Sequence, residues 1–174
     1  MRGTLLALIS LACYDPLSRE CVMKLINIAW ARAADHEWCA RLMASSEPWI
    51  TLRRDLDACR AVLVRTGAEL FIACDAETGD PLGFILLSPY GFATSPYVAS
   101  IAVAPEARGV HIGSQLMVFA ERHFRDRRHL FLLVSSFNSD AQKFYVQHGY
   151  EFVGELKDYI VSGHSELIFH KRLQ

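Results

Sequence analysis

SIAVAPEARGVHIG, residues 100–113, takes the chain from an apolar strand into a helix through a basic turn that contains glycine. The first amides of a helix have no partner within the helix and lie at the positive end of its dipole, so they attract anions. Gly109 and Gly113 let the backbone approach such an anion closely. The turn therefore predicts a ligand that bears phosphate, although it does not say which one.

A second informative segment follows the next predicted strand. It reads Asn138-x-x-Ala141-x-x-Phe144-Tyr145-x-x-x-Gly149-Tyr150. Ser139 and Gln142 stand three residues apart and form a candidate capping box at the start of a helix, which Gly149 can end. The segment therefore predicts a strand followed directly by a short helix.

The first segment contains the pattern Val103-x-Pro105-x-x-Arg108-Gly109-x-x-Ile112-Gly113. Together with the second segment, this pattern resembles the GNAT acetyltransferases, which use acetyl-CoA. They match in order and spacing over residues 97–155, about a third of the chain. The resemblance implies an α/β (α+β) fold, in which about four helices flank a mixed, mostly antiparallel sheet of about seven strands. The chain departs from the family pattern, Gln/Arg-x-x-Gly-x-Gly/Ala, at His111, whose β-carbon narrows the approach to the diphosphate.

The resemblance also implies which residues bind the cofactor. Turn amides would receive the diphosphate, the backbone near Ala102 and Val103 the thioester, and Asn138 the pantetheine arm. The expected cofactor-binding positions are Ala102, Val103, Arg108, Gly109, Val110, His111, Ile112, Gly113, Ser114, Asn138, Ala141 and Phe144. Two alternatives stay open: Asn138 as a helix cap only, and Arg108 as a solvated loop side chain.

Acetyl transfer to an amine needs a neutral amine, a stabilised oxyanion and a proton for the departing thiolate. The resemblance gives the last role to Tyr145, as general acid. The alternative is an aromatic side chain that simply packs on the sheet. No general base is evident, because Ala99 and Ser100 stand where many relatives have a glutamate. Glu69, His111, His164 and Glu166 are candidates by residue type only.

The acceptor amine has to be recognised by residues outside the two segments. Trp30, Trp49 and Tyr159 belong to the first-helix region and the last hairpin, which flank the acceptor cleft in this fold. They are expected to bind substrate, although ordinary core packing is the alternative. A small molecule or a peptide N-terminus is expected as the acceptor, and its identity stays open. Two other classes remain: a non-catalytic acyl-CoA sensor and, remotely, an unrelated nucleotide-binding domain.

Composition favours one soluble domain spanning residues 1–174. A net charge of −1 gives no field that would attract nucleic acid or an anionic membrane, and no apolar run approaches the roughly 20 residues of a membrane span. The five cysteines are scattered, which predicts reduced thiols, and no metal site is expected. A cytoplasmic location follows from the use of acetyl-CoA, and a homodimer stays open.

Hydrophobic periodicity predicts the element order β-α-α-β-β-β-α-β-α-β-β. The first strand is expected at 4–14, in preference to a signal or lipoprotein peptide, and the first helix at 18–33. An irregular bridge over 35–48 leads to a helix that begins at residue 52 and ends near Thr66-Gly67. The remaining expectations are strands at 69–75, 82–88 and 97–103, a helix at 111–124, a strand at 129–135, the helix after 138, and strands at 152–157 and 166–169.

Overall fold

The computed structural model describes residues 24–173, which form one seven-stranded sheet with four α-helices around it. In chain order the elements are β1 Ile26–Trp30, α1 Asp35–Ala44, α2 Leu56–Leu63, β2 Glu69–Asp75, β3 Pro81–Phe92, β4 Ser95–Val103, α3 Ile112–His123, β5 His129–Ser135, α4 Ser139–Gln147, β6 Glu151–Leu156 and β7 Glu166–Arg172. A short 3-10 turn, Pro105–Ala107, lies between β4 and α3. The α/β fold predicted from the sequence is therefore confirmed.

The sheet has the strand order β1-β2-β3-β4-β5-β7-β6, and β4 and β5 are the parallel neighbours within it. Because successive side chains on a strand point to opposite faces, each strand contributes to two cores. One core lies between the sheet and the helices α1 and α2, and includes Ile72 and Phe84. The other includes Phe71 and Ile85, and packs against α3 and Tyr145 of α4.

The parallel strands β4 and β5 separate soon after they meet. Their pairing ends at Val98 and Leu132. The pairing of β4 with β3 shifts at the next residue, Ala99, which is the extra residue of a β-bulge. Beyond the bulge, β4 continues to Val103 with a strand partner on its β3 side only. Its backbone groups on the other side are therefore open to a ligand.

From α2 onward the elements occur in the predicted order, but two predictions for the region before α2 are wrong. The strand predicted at 4–14 lies outside the described residues. The helix predicted at 18–33 is wrong from Ile26 onward, because Ile26–Trp30 forms β1 and pairs with β2. The bridge predicted at 35–48 contains the helix α1. The apolar spacing of residues 25–30 fits a helix face locally, but pairing along the edge of β2 outweighs it.

The later elements follow the prediction closely. β2 and β5 have the predicted limits, α3 and β4 differ from them by one or two residues, and β3 and β7 run further than expected. α2 begins at Leu56 and not at residue 52. The Asp55 side chain sets this start, because it accepts a hydrogen bond from the amide of Ala58 at 2.8 Å.

The capping box predicted for α4 is wrong. Asn138, and not Ser139, is the N-cap, and its side-chain oxygen accepts a hydrogen bond from the amide of Ala141 at 3.2 Å. Gln142 does not reach back to the cap. Its side-chain amide donates instead to the carbonyl oxygens of Ser135 and Ser136, at 3.3 and 3.0 Å. This tie fixes α4 to the end of β5.

Two further features concern the chemistry of the chain. Among residues 24–173, no helix has both the length and the apolar character needed to cross a bilayer.

Cys39, Cys59 and Cys74 are free thiols. Burial raises the pKa of Cys39 to about 12, so this thiol stays protonated at neutral pH.

Candidate functional site

The basic turn leads directly into α3. Its N-cap, His111, has a φ of 64°, in the left-handed region, and its side chain makes no capping hydrogen bond. Gly109 has a φ of 81°. The first turn of α3 contains no acidic side chain, so none there offsets the positive end of the helix dipole. The geometry suits an anion, as the sequence predicts.

Two contacts connect this turn to its neighbours. Gly113 lies beside the ring of Phe144, and a β-carbon at residue 113 would be 3.4 Å from Phe144 Cζ. A β-carbon there would be in ordinary van der Waals contact with the ring, so α3 and α4 pack closely at this point. On the other side, Arg108 Nε lies 3.4 Å from the carbonyl oxygen of Val103, at the end of β4. The structure thus brings the predicted residues of the turn, of β4 and of α4 together.

A cavity of about 720 Å³ lies between the α1–α2 region, the strands β4 and β5, and the β6–β7 hairpin. Residues 97–101 of β4 and 133–135 of β5 form one wall, so the cavity reaches the point where these strands separate. The predicted site residues that line it are Trp49, Asn138, Ala141, Tyr145 and Tyr159.

Not every predicted residue lies on this cavity. Ala102, Val103, Phe144 and residues 108–114 form a separate group around the end of β4 and the start of α3. Trp30 belongs to neither group. It ends β1, with 59% of its surface exposed, and its ring centroid lies 4.4 Å from that of Phe71. The structure therefore places Trp30 away from the cavity that Trp49 and Tyr159 line.

Tyr145, the predicted general acid, is buried on α4 and still reaches the cavity. No residue among those described makes a hydrogen bond with its hydroxyl group. Burial raises the pKa of Tyr145, and the neighbouring Tyr97 adds to this rise. The phenol therefore stays protonated at neutral pH, and its hydroxyl can donate to a group in the cavity.

Of the four candidate bases, Glu166 is the one that lines the cavity. It begins β7 directly opposite Ser135 of β5, whose hydroxyl donates a hydrogen bond to Glu166 Oε1 at 2.7 Å. Burial raises the pKa of Glu166, while the Ser135 hydrogen bond and the charge of His164 oppose the rise. A buried carboxylate with a raised pKa is typical of groups that exchange protons with a ligand.

The other three candidates are placed differently. Glu69 accepts a hydrogen bond from His123 Nε2 at 2.7 Å, on the far side of the sheet. His164 packs edge-on against Phe137, with ring centroids 4.9 Å apart. His111 caps α3 and does not line the cavity.

Sequence reasoning missed several polar residues that line the cavity, among them Arg54, Arg65, Tyr97 and Ser135. Ser135 ends a predicted strand, where a polar side chain is a signal for a site at the carboxyl edge of a sheet, whereas Tyr97 begins one and carries no such signal. Arg54 and Arg65 flank α2 and carry no local signal. Only the packing of α2 across the sheet brings them to the cavity.

The sequence profile of the acetyltransferase (GNAT) family matches residues 25–150. The chain belongs to this family. The GNAT match includes the turn, α3, α4 and Tyr145, which are the parts of the chain that carry the resemblance in sequence. No curated protein is significantly similar to the chain in sequence.

Solved GNAT structures share the fold. A GNAT-family protein from Desulfovibrio desulfuricans is similar over 86% of this chain and 100% of its own, with 18% identity and a TM-score of 0.72. An aminoglycoside 6'-N-acetyltransferase complexed with coenzyme A has 15% identity over 85% of this chain and 97% of its own, with a TM-score of 0.69. Nourseothricin acetyltransferase has 28% identity over 63% of this chain and 67% of its own, with a TM-score of 0.56.

GNAT enzymes are acyltransferases that use acetyl-CoA, which sets the class of the cofactor and of the reaction. Among residues 24–173, no three side chains of His, Cys, Asp or Glu are grouped so that they could hold a metal ion.

Proposed function

We propose that this GNAT acetyltransferase is an N-acetyltransferase, which moves the acetyl group of acetyl-CoA to a primary amine by direct attack. The acceptor is a small molecule or a peptide N-terminus. The observation that carries the proposal is the position of Tyr145, whose buried side chain lines the cavity where β4 and β5 separate. We further propose that residues 1–174 act as one domain in the cytoplasm, where acetyl-CoA is available.

Acetyl-CoA would bind along the end of β4 and the start of α3. The amides of residues 109–114 would receive the diphosphate, with the charge of Arg108 beside it. The unpaired side of β4 at Ala102 and Val103 offers backbone groups to the pantetheine arm. Asn138 uses its Oδ1 to cap α4, which leaves its NH₂ group to donate to the same arm.

Tyr145 would act when the carbon–sulfur bond breaks. The amine nitrogen attacks the thioester carbonyl carbon, so a C–N bond forms and the C–S bond is lost. The phenol donates a hydrogen bond to the sulfur as negative charge develops there, and then gives it a proton. The new amide nitrogen carries one proton too many and returns it to the phenolate. This exchange leaves Tyr145 in its initial protonated form.

A non-catalytic acyl-CoA sensor is the second candidate, favoured by the absence of a carboxylate at Ala99 and Ser100 of β4. Incubation with acetyl-CoA and a panel of primary amines separates the two functions. An enzyme releases CoA thiol and forms a product that is heavier by one acetyl group. A sensor is stabilised against heat by acetyl-CoA and forms no product. Thermal stabilisation without any acetylated amine would contradict the proposal.

A further inference from the structure

Four charged side chains line the cavity: Glu47, Arg54, Arg65 and Glu166. They are two cations and two anions, so the cavity carries no excess of either sign. The Glu47 carboxylate already has hydrogen-bond donors in its own loop, since it accepts from the amide and the hydroxyl group of Thr51 at 3.2 and 3.0 Å. The charges that remain for a ligand are one buried carboxylate and two guanidinium groups.

The two arginines differ from their neighbour Arg60. Arg60 forms ion pairs with Glu37 and Asp57, at 2.9 and 2.6 Å. Within residues 24–173, neither Arg54 nor Arg65 has a carboxylate within 4 Å. A guanidinium fork matches a carboxylate in shape as well as in charge. The cavity wall thus presents two arginines that can bind an acidic group of a ligand.

Glu166 presents the opposite charge from inside the cavity. Its side chain belongs to a residue that is only 4% exposed, and its Oε1 accepts the Ser135 hydrogen bond. Its Oε2 accepts no hydrogen bond from the described residues, yet it is not among the buried polar atoms that are sealed from the surface. This oxygen can therefore accept a hydrogen bond from water or from a cationic or donor group of a ligand in the cavity.

Tyr97 lines the same cavity as Glu166 and Arg65 and is affected by the charge of both. Burial raises the pKa of the Tyr97 hydroxyl, the negative charge of Glu166 raises it further, and the positive charge of Arg65 lowers it. Both charges therefore act on one phenol in the cavity wall. A ligand in this cavity can therefore face a carboxylate and a guanidinium group.

We propose that the acceptor is a small amine that also bears a carboxylate or a comparable acidic group, with its ammonium group at Glu166 and its acidic group at Arg65. This inference rests on the proposed N-acetyltransferase activity and adds the substrate class. Glu166 also takes one proton from the ammonium group, which leaves the neutral amine that attacks the thioester. That proton later passes to solvent, so one proton is released for each acetyl group transferred.

The balance of charge argues against a polyamine acceptor. A polyamine brings several ammonium groups, and the cavity offers as many guanidinium groups as carboxylates. The guanidinium groups of Arg54 and Arg65 would repel these additional ammonium groups. A zwitterionic amine brings one charge of each sign and so meets a partner for both.

Matched acceptors test the proposal directly. The rate of CoA thiol release is measured with amino acids, with their methyl esters and with spermidine. The ester keeps the amine and loses only the acidic charge. An amino acid should react with a kcat/KM about tenfold or more above that of its ester, because a charge-assisted hydrogen bond to arginine is lost in the ester. Esters or spermidine that react as well as every amino acid would overturn the proposal.

Arginine variants identify the residue that holds the acidic group. Arg65→Gln should lower the kcat/KM of the amino acid to about that of its ester and so remove the preference for the amino acid. Arg125→Gln is the matched control, since Arg125 is exposed after α3 and does not line the cavity. If Arg65→Gln and the double variant with Arg54→Gln both keep the preference, the assignment is wrong. If no amine reacts at all, the N-acetyltransferase activity fails, which is a different result.

The role of Glu166 needs a readout of its own. Glu166→Gln keeps the shape of the side chain and an oxygen that can accept from Ser135. It should lower kcat/KM for the amino acid by about 10²-fold and remove the acidic limb of the pH–rate profile. Calorimetry should show weaker binding of the amino acid, with acetyl-CoA binding retained. An unchanged acidic limb together with unchanged binding would overturn the role of Glu166.

Discussion

Ser135 and Glu166 are partners across the ladder between β5 and β7, and the Ser135 hydroxyl donates a 2.7 Å hydrogen bond to the buried carboxylate. This arrangement holds Glu166 at the cavity wall. One hydrogen bond does not offset the burial of the carboxylate, because the pKa of Glu166 is still raised. The residue proposed to exchange protons, Glu166, therefore also lowers the stability of the fold when it is ionised.

The stability of the protein should depend on pH through Glu166. Because its pKa is higher in the folded than in the unfolded state, the protonated form favours folding. This contribution is complete below the unfolded pKa and is lost as pH rises through the folded pKa. Glu166→Gln should therefore raise the melting temperature more at pH 8 than at pH 4. Glu155→Gln, at an exposed position of β6, is the control and should shift both values alike.

Removal of the Tyr145 hydroxyl should affect chemistry and spare cofactor binding. Tyr145→Phe is expected to lower kcat by roughly 10²-fold or more, with the Kd of acetyl-CoA nearly unchanged. Tyr150→Phe is the matched control, because Tyr150 is buried beside Tyr145, with ring centroids 6.0 Å apart, and does not line the cavity. Steady-state kinetics and calorimetry measure the two quantities. An equal rate for Tyr145→Phe and the wild type would leave the tyrosine a purely structural role.

His111 and Gly109 both have a left-handed φ, so introducing glycine at residue 111 and removing it at residue 109 should have opposite effects on stability. His111→Gly should raise the free energy of unfolding by about 0.5–1 kcal/mol, since φ is 64° at this position. Gly109→Ala should lower it by about 1 kcal/mol through conformation alone, because no atom lies within 4 Å of a β-carbon there. Chemical denaturation measures both. The affinity for acetyl-CoA should be kept or tightened in His111→Gly, and a loss of affinity would contradict the placement of the diphosphate.

The three aromatic residues predicted to bind the acceptor should differ in their effect on the KM of the acceptor, according to whether they line the cavity. Trp49→Ala and Tyr159→Ala are expected to raise the KM of the acceptor about tenfold and to leave the KM of acetyl-CoA unchanged, because both side chains line the cavity. Trp30→Ala should leave both KM values unchanged, since Trp30 lies away from the cavity. Loss of acetyl-CoA binding in the first two variants would show that these aromatics support the fold instead.

The local sequence predicted those elements in which apolar periodicity coincides with a helix cap or a glycine. The turn before α3 and the strand–helix unit at 129–147 combine apolar periodicity with caps and glycine, and both were predicted to within a few residues. β1 was missed because its identity depends on pairing with β2, more than forty residues later in the chain. Local spacing carries no trace of that partner.

The candidate site shows the same division. Tyr145 and the turn could be located from a pattern of neighbouring residues. Glu166 could be named only as one of four acidic or histidine candidates, because its place depends on the register of β7 against β5. Arg65 had no signal in the sequence, since the fold alone brings the end of α2 to the cavity.

The position of β7 between β5 and β6 also bears on how the chain folds as it is made. β6 pairs with β7 and with no other strand among the described residues, yet it precedes β7 in the sequence. It therefore leaves the ribosome before its partner and must wait unpaired, with Phe152 and Val153 exposed even in the finished fold. Unpaired apolar strands of this kind recruit one another. The interval between the synthesis of these two strands is thus one in which the nascent chain can aggregate.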